Sequence, residues 1–75
     1  MAQYNVGLYF RDGHGCEQNH LRAAEWFEKA ALQGFADAQT ALAYLYCDGL
    51  GVPQSYERAV ELYEQVWDVY MRKLT

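Results

Sequence analysis

The chain reads the same way twice. Displaced by 36 positions, Ala2 falls on Ala38, Gln3 on Gln39, Asp12 on Asp48 and Gly13 on Gly49. Gly15 then falls on Gly51, Gln18 on Gln54, Arg22 on Arg58, Ala23 on Ala59, Glu25 on Glu61 and Glu28 on Glu64. A period of this size marks one supersecondary unit that cannot bury its apolar face alone and must stack on a neighbour. Stacked arrays are usually binding surfaces and rarely active sites. The echo therefore points to a class of function before any motif is considered.

Each copy of the echo reads helix, glycine loop, helix. The first helix is expected from Ala2 to Asp12, ended by Gly13 and Gly15, which supply positive φ in the loop. Asn19 suits the N-cap of the second helix, which runs to about Gln33 and stops at Gly34. Asp37 is expected to cap a third helix over Ala38–Asp48. Gly49 and Gly51 repeat the loop, Pro53 stiffens it, and Ser55 caps the last helix. That helix runs from Tyr56 to near the C-terminus, because neither Gly nor Pro interrupts it. No strand-like alternation competes with this pattern.

Helical spacing assigns the faces. Ala23, Trp26, Phe27, Ala30 and Ala31 form one apolar stripe. Ala38, Ala41, Leu42, Leu45 and Tyr46 form a second. Ala59, Leu62, Tyr63, Val66 and Tyr70 form a third. All three read as core. Hydrophobic residues make up 52% of the 75 residues, enough for a small core and unlike a disordered chain.

Leu42-Ala43, Tyr46, Gly49-Leu50-Gly51-Val52 and Ala59 together resemble the Sel-one-like repeat. Arg22-Ala23, Trp26-Phe27-Glu28-Lys29-Ala30-Ala31 and Gly34 resemble that family's second-helix signature, A-x-x-W-x-x-K-A-A-x-x-G. The resemblance covers nearly the whole chain. It implies an all-α fold: two helix-turn-helix repeats in a short right-handed α-solenoid like that of tetratricopeptide repeats, with an extended C-terminal helix. One domain is expected over 1–75, with repeat one at 2–37 and repeat two at 38–75. The resemblance also implies adaptor work, holding protein partners and assembling complexes, without a chemical step. The first helix of each repeat would line the concave face. Tyr4, Leu8 and Arg11, with their counterparts Thr40, Tyr44 and Cys47, are the candidate partner-binding residues, a mixed aromatic and polar strip suited to a peptide.

The second repeat departs from the pattern. Val66 and Trp67 stand where Ala30 and Ala31 stood, and Tyr70 replaces Gly34. That bulk forbids the usual close approach of another first helix. Val66, Trp67, Val69, Tyr70 and Met71 crowd the last helix, while Val6, Tyr9 and Phe10 lack a preceding helix to cover them. Exposed apolar patches of this kind mark interfaces. A homodimer through the last helix is expected, with exchange of that helix as one route. The competing reading is a purely structural piece from the end of a longer array.

Other functions find less support. The net charge of −4 disfavours nucleic acid and a polybasic membrane contact. No apolar run has the length of a membrane span, and Met1 to Phe10 does not read as a signal peptide. Two cysteines, Cys16 and Cys47, are too few for a disulfide framework, so free thiols and a cytoplasmic setting are expected. His14, Cys16 and His20 match no common zinc spacing, even with Cys47 nearby, so no metal or other cofactor is expected. A thiol–imidazole pair of Cys16 with His14 or His20 lacks an orienting third group. Glu57, Glu61, Glu64 and Asp68 form an acidic stripe that reads as a solvated face, although a basic partner would be attracted to it.

Overall fold

A computed structural model of the chain describes residues 2–13, 15 and 17–74. The described residues form helices α1 (Ala2–Asp12), α2 (His20–Leu32), α3 (Ala36–Asp48) and α4 (Tyr56–Leu74). Each packs on the next in chain order. The result measures 42 × 26 × 15 Å, thin in one direction as expected for side-by-side helices. The all-α repeat fold expected from the sequence is the fold observed.

Local signals explain most boundaries. Asn19 is extended (φ −151°, ψ 101°), and its side chain accepts the Arg22 N–H at 3.0 Å. Ser55 Oγ accepts the Arg58 N–H at 3.2 Å in the same way. At the end of α2, Gly34 has φ +83°. Its N–H reaches the Ala31 carbonyl at 2.9 Å, while the Phe35 N–H reaches Ala30 at 3.3 Å. These two bonds satisfy carbonyls that a helix end leaves open, and they turn the chain sharply.

One start differs from expectation. Asp37 is not the cap of α3; it lies within the first turn, and Phe35 occupies the N-cap with no side-chain cap bond. The tight Gly34 turn brings the chain back at once, so the helix begins two residues earlier than the sequence predicts. Phe35 is held there by packing: its ring meets Tyr4 edge-on at 5.9 Å. Asp37 still places negative charge where the helix dipole favours it.

The echo extends to the loop hydrogen bonds. The Asn19 N–H donates to the Phe10 carbonyl at 2.8 Å, and the Ser55 N–H donates to Tyr46 at 2.9 Å. Gln18 Nε2 donates to the Arg11 carbonyl at 2.6 Å, and Gln54 Nε2 to Cys47 at 2.9 Å. Each pair is related by the same 36-residue displacement, so both loops are pinned to the preceding helix identically.

The core is alanine-rich. Phe27, Leu42 and Leu45 are its largest fully buried side chains, surrounded by Ala23, Ala24, Ala30, Ala31, Ala38, Ala43, Ala59 and Leu62. Small residues let the helix axes approach closely. Gly7 goes furthest: a Cβ there would lie 2.7 Å from the Phe27 ring. The second-helix and third-helix stripes hold except that Trp26, Ala41 and Tyr46 are only half-buried. The stripe on α4 holds only at Ala59 and Leu62. Tyr63 is 40% exposed and Tyr70 54%, so the expectation that they belong to the core is corrected. Among the described helices α4 packs chiefly on α3, which leaves both rings partly in solvent.

The two units meet at a backbone contact. Gly51 has φ +75°, and a Cβ there would sit 2.3 Å from the His20 carbonyl carbon. Gly15, its counterpart, has φ +74° and nothing within 4 Å. Gly51→Ala is expected to cost about 3 kcal/mol or more, since left-handed strain and a collision with backbone add. Gly15→Ala is expected to cost about 1–2 kcal/mol, from strain alone. Urea unfolding of both variants checks the difference.

Candidate protein-binding surfaces

Two surfaces have the shape of a docking site. The first lies between α1 and α3. Tyr4, Arg11, Asp37, Thr40, Ala41 and Tyr44 line a shallow depression of about 270 Å³. Four of the six expected partner-binding residues, Tyr4, Arg11, Thr40 and Tyr44, therefore come together. Leu8 and Cys47 do not line it; they are half-buried against the core. Asp37, which the sequence reading assigned to a cap, supplies the carboxylate at this site.

Tyr4 is a firm part of this surface. Its ring lies 5.7 Å from Phe27 and 5.9 Å from Phe35, so three aromatics brace one another. Thr40 is partly committed, because its hydroxyl donates to the Ala36 carbonyl at 3.0 Å. Arg11 makes a two-pronged contact with Asp12, Nε to Oδ1 at 2.8 Å and Nη2 to Oδ2 at 2.9 Å. That bond pushes the Arg11 pKa above its ordinary value. The surface thus offers an aromatic floor, a paired guanidinium and the exposed Tyr44 ring. It has the chemistry of contact and hydrogen bonding, with no nucleophile–base pair among these residues.

The second surface is on α4. Tyr63, Val66, Trp67 and Tyr70 line an apolar groove of about 530 Å³. Trp67 stacks on Tyr70 at 5.9 Å with 29° between the rings, and it remains 61% exposed. Of the five expected self-association residues, Val66, Trp67 and Tyr70 line the groove. Val69 and Met71 are exposed but lie outside its lining. Tyr63 is the groove residue that sequence reasoning placed in the core instead. Position in the repeat gives no signal for it: it stands 36 residues after Phe27, which is fully buried and packs on Tyr4 and Gly7 of α1.

On the other side of Trp67 the surface is polar. Glu61, Glu64, Gln65, Trp67 and Asp68 line a depression of about 550 Å³. The acidic stripe is partly neutralised within α4. Arg58 reaches Glu61 at 3.1 Å, and Arg72 reaches Asp68 at 2.8 Å. Arg58 also lies over the Tyr46 ring at 5.9 Å. Such exposed pairs contribute little to stability.

The metal and thiol expectations fall partly outside the described residues, because His14 and Cys16 are not among them. Among the described residues no group of three or more His, Cys, Asp or Glu side chains is placed to hold a metal ion. His20 is the first residue of α2, beneath Gly51, with Nδ1 buried and unpartnered. Cys47 carries a free, half-buried thiol.

The site and fold define a tandem helical-repeat scaffold, and comparison with known proteins gives the family. The Sel1 repeat model matches residues 1–35 and again 36–65. The chain belongs to the Sel1 repeat family, whose fold is a non-catalytic interaction scaffold. It is 35% identical over 66 residues to the ERAD-associated E3 ubiquitin-protein ligase component HRD3B of Arabidopsis thaliana, covering 85% of this chain and 10% of that protein. A putative ERAD-associated E3 ubiquitin-protein ligase component of Schizosaccharomyces pombe is 36% identical over 63 residues, covering 84% and 9%. The chain thus spans about a tenth of the length of these curated relatives. Among solved structures, a protective antigen of uropathogenic Escherichia coli strains with an SLR fold superposes with TM-score 0.88 at 33% identity, covering 89% of this chain and 14% of that one. A Sel1 repeat protein from Oxalobacter formigenes gives 0.85 at 38% identity, covering 87% and 27%.

The electrostatics of Tyr63 yield a pH test. Burial against α3 pushes its phenol above the ordinary 10.0, and Cys47, Tyr44 and Asp48 add repulsion. The fold therefore favours the protonated form. This contribution is complete below about pH 10 and is lost as pH rises towards the folded-state value. Tyr63→Phe is expected to flatten part of the alkaline decline in the urea midpoint above about pH 10.

Proposed function

We propose that this chain is a non-catalytic adaptor that binds a protein or peptide on the Tyr4–Tyr44 surface and associates with a second copy through α4. The observation that carries the reading is the groove of Tyr63, Val66, Trp67 and Tyr70, where aromatic rings face solvent on a helix that buries Ala59 and Leu62 in its earlier turns. Aromatic anchors in a concave apolar patch with a polar rim are what protein interfaces use. The family supports the same reading, since Sel1 repeats mediate protein–protein contact. So does the description of two relatives as ERAD-associated E3 ubiquitin-protein ligase components. A homodimer is the simplest product of such a surface. A net charge of −4 without a basic stripe argues against nucleic acid. No helix of the described residues is long and apolar enough to cross a membrane. The free Cys47 thiol fits a reducing, cytoplasmic compartment.

A second reading rests on a specific observation. The chain spans about a tenth of its curated relatives, so it is also proposed, as the alternative, to be a structural piece of a longer array. Solution mass separates the two. Light scattering at roughly 50 μM is expected to give twice the monomer mass or more, and Trp67→Asp to give the monomer, as truncation at a central aromatic anchor does. A wild-type chain that stays monomeric at that concentration removes self-association from the proposal. For the other surface, Tyr44→Ala is expected to weaken capture of a peptide partner by about tenfold or more while leaving the urea midpoint nearly unchanged, because Tyr44 is 59% exposed.

A further inference from the structure

The repeat makes it possible to compare each open face with a covered copy of itself. Ala38, Leu42 and Leu45 of α3 are 0%, 1% and 1% exposed, because α3 lies against α2 of the first unit as well as against α4. Their counterparts on α1 are Ala2, Val6 and Tyr9. Ala2 is exposed, Val6 is half-buried, and Tyr9 is 53% exposed. On the other side, Ala24, Phe27, Ala30 and Ala31 of α2 are all buried. Their counterparts on α4 are Val60, Tyr63, Val66 and Trp67, with Val60 at 51% and Trp67 at 61% exposed. The loops agree with the helices. Gly51 is pressed onto the His20–Leu21 peptide at the start of α2, whereas Gly15 meets nothing within 4 Å. The peptide equivalent to His20–Leu21 is Tyr56–Glu57, at the start of α4.

We propose that these are the two halves of one contact, and that α1 of a second copy docks on α4 of the first. The established contact between the units, α3 on α2, is continued between chains. The donor half is Ala2, Gln3, Val6, Tyr9 and Gly15. The acceptor half is Tyr63, Val66, Trp67 and the start of α4. Gln39, buried in the contact within the chain, donates Nε2 to the Ala31 carbonyl at 3.3 Å. Gln3, its counterpart, stands at the matching place on the donor face. Val66 and Trp67 are larger than Ala30 and Ala31, so the second copy keeps the register but sits further out. Trp67 then covers the face of α1 instead of admitting it to the backbone. The contact joins different surfaces on the two copies, so it is head-to-tail and leaves one half free at each end.

This inference rests on the proposed self-association, and complementation between two variants tests it separately. Tyr9→Asp removes the donor half and Trp67→Asp the acceptor half; both side chains are more than half exposed, so both variants are expected to fold, as far-ultraviolet circular dichroism will verify. Each variant alone is expected to lose association and run as a monomer. An equimolar mixture is expected to regain it as a heterodimer of twice the monomer mass, and to grow no further. If Tyr9→Asp folds poorly, Ala2→Glu blocks the same half at an exposed site. A donor-face variant that remains dimeric overturns the head-to-tail arrangement and leaves self-association through α4 intact. A mixture that stays monomeric overturns it as well. A wild-type chain that is monomeric overturns both.

Discussion

The second unit is seated on the first by a contact that only glycine permits. Gly51 turns with φ +75° directly against the His20–Leu21 peptide, where a Cβ would lie 2.3–2.5 Å from backbone atoms. Backbone cannot yield as a flexible side chain can. This contact therefore fixes how the second loop stands over the start of α2. The angle of α3 on α2 follows, and with it the depth to which Ala38 and Leu42 are buried. Gly7 against Phe27 sets the spacing within the first unit in the same manner. Mid-helix glycine costs about 1 kcal/mol in propensity, and it is tolerated here because a larger residue would lift α1 from the core.

Close approach at these points explains why so small a chain has a core at all. Seven of its eleven buried hydrophobic residues are alanine, and they contribute by letting helices come together more than by their own area. Phe27, Leu42 and Leu45 then fill the space that remains. The same economy leaves nothing to spare at the two ends. Tyr9 on α1 and Trp67 and Tyr70 on α4 remain more than half exposed. Binding potential and incomplete burial are thus one property of a stacked array seen at its edges.

Much of this was legible in the residues. Asn19 and Ser55 cap as their side-chain chemistry requires, and Gly34 ends α2 as a residue free to adopt positive φ. Those are local effects, decided within four residues of chain. Asp37 misled because a good capping residue was outbid by a tertiary contact, the Phe35 ring against Tyr4. Gln39 was not expected inside, yet it is 6% exposed and bonds to Ala31 and Gln65, residues 8 and 26 positions away. Leu8 and Cys47 share a helical spacing with Tyr4 and Tyr44, but the rotation of α1 and α3 on their neighbours turns them towards the core.

The 36-residue echo determined the family of structure: helix, glycine loop, helix, twice, with matching loop hydrogen bonds. It could do so because helix propensity, capping and positive φ are properties of short stretches of chain. Which equivalent residues became core and which became surface was decided only in three dimensions. Phe27 and Tyr63 occupy the same place in the repeat, and one is fully buried while the other lines an open groove. The difference lies in no residue near either of them. It arises because α2 is packed between α1 and α3, whereas among the described helices α4 packs chiefly on α3, and burial depends on what is packed alongside.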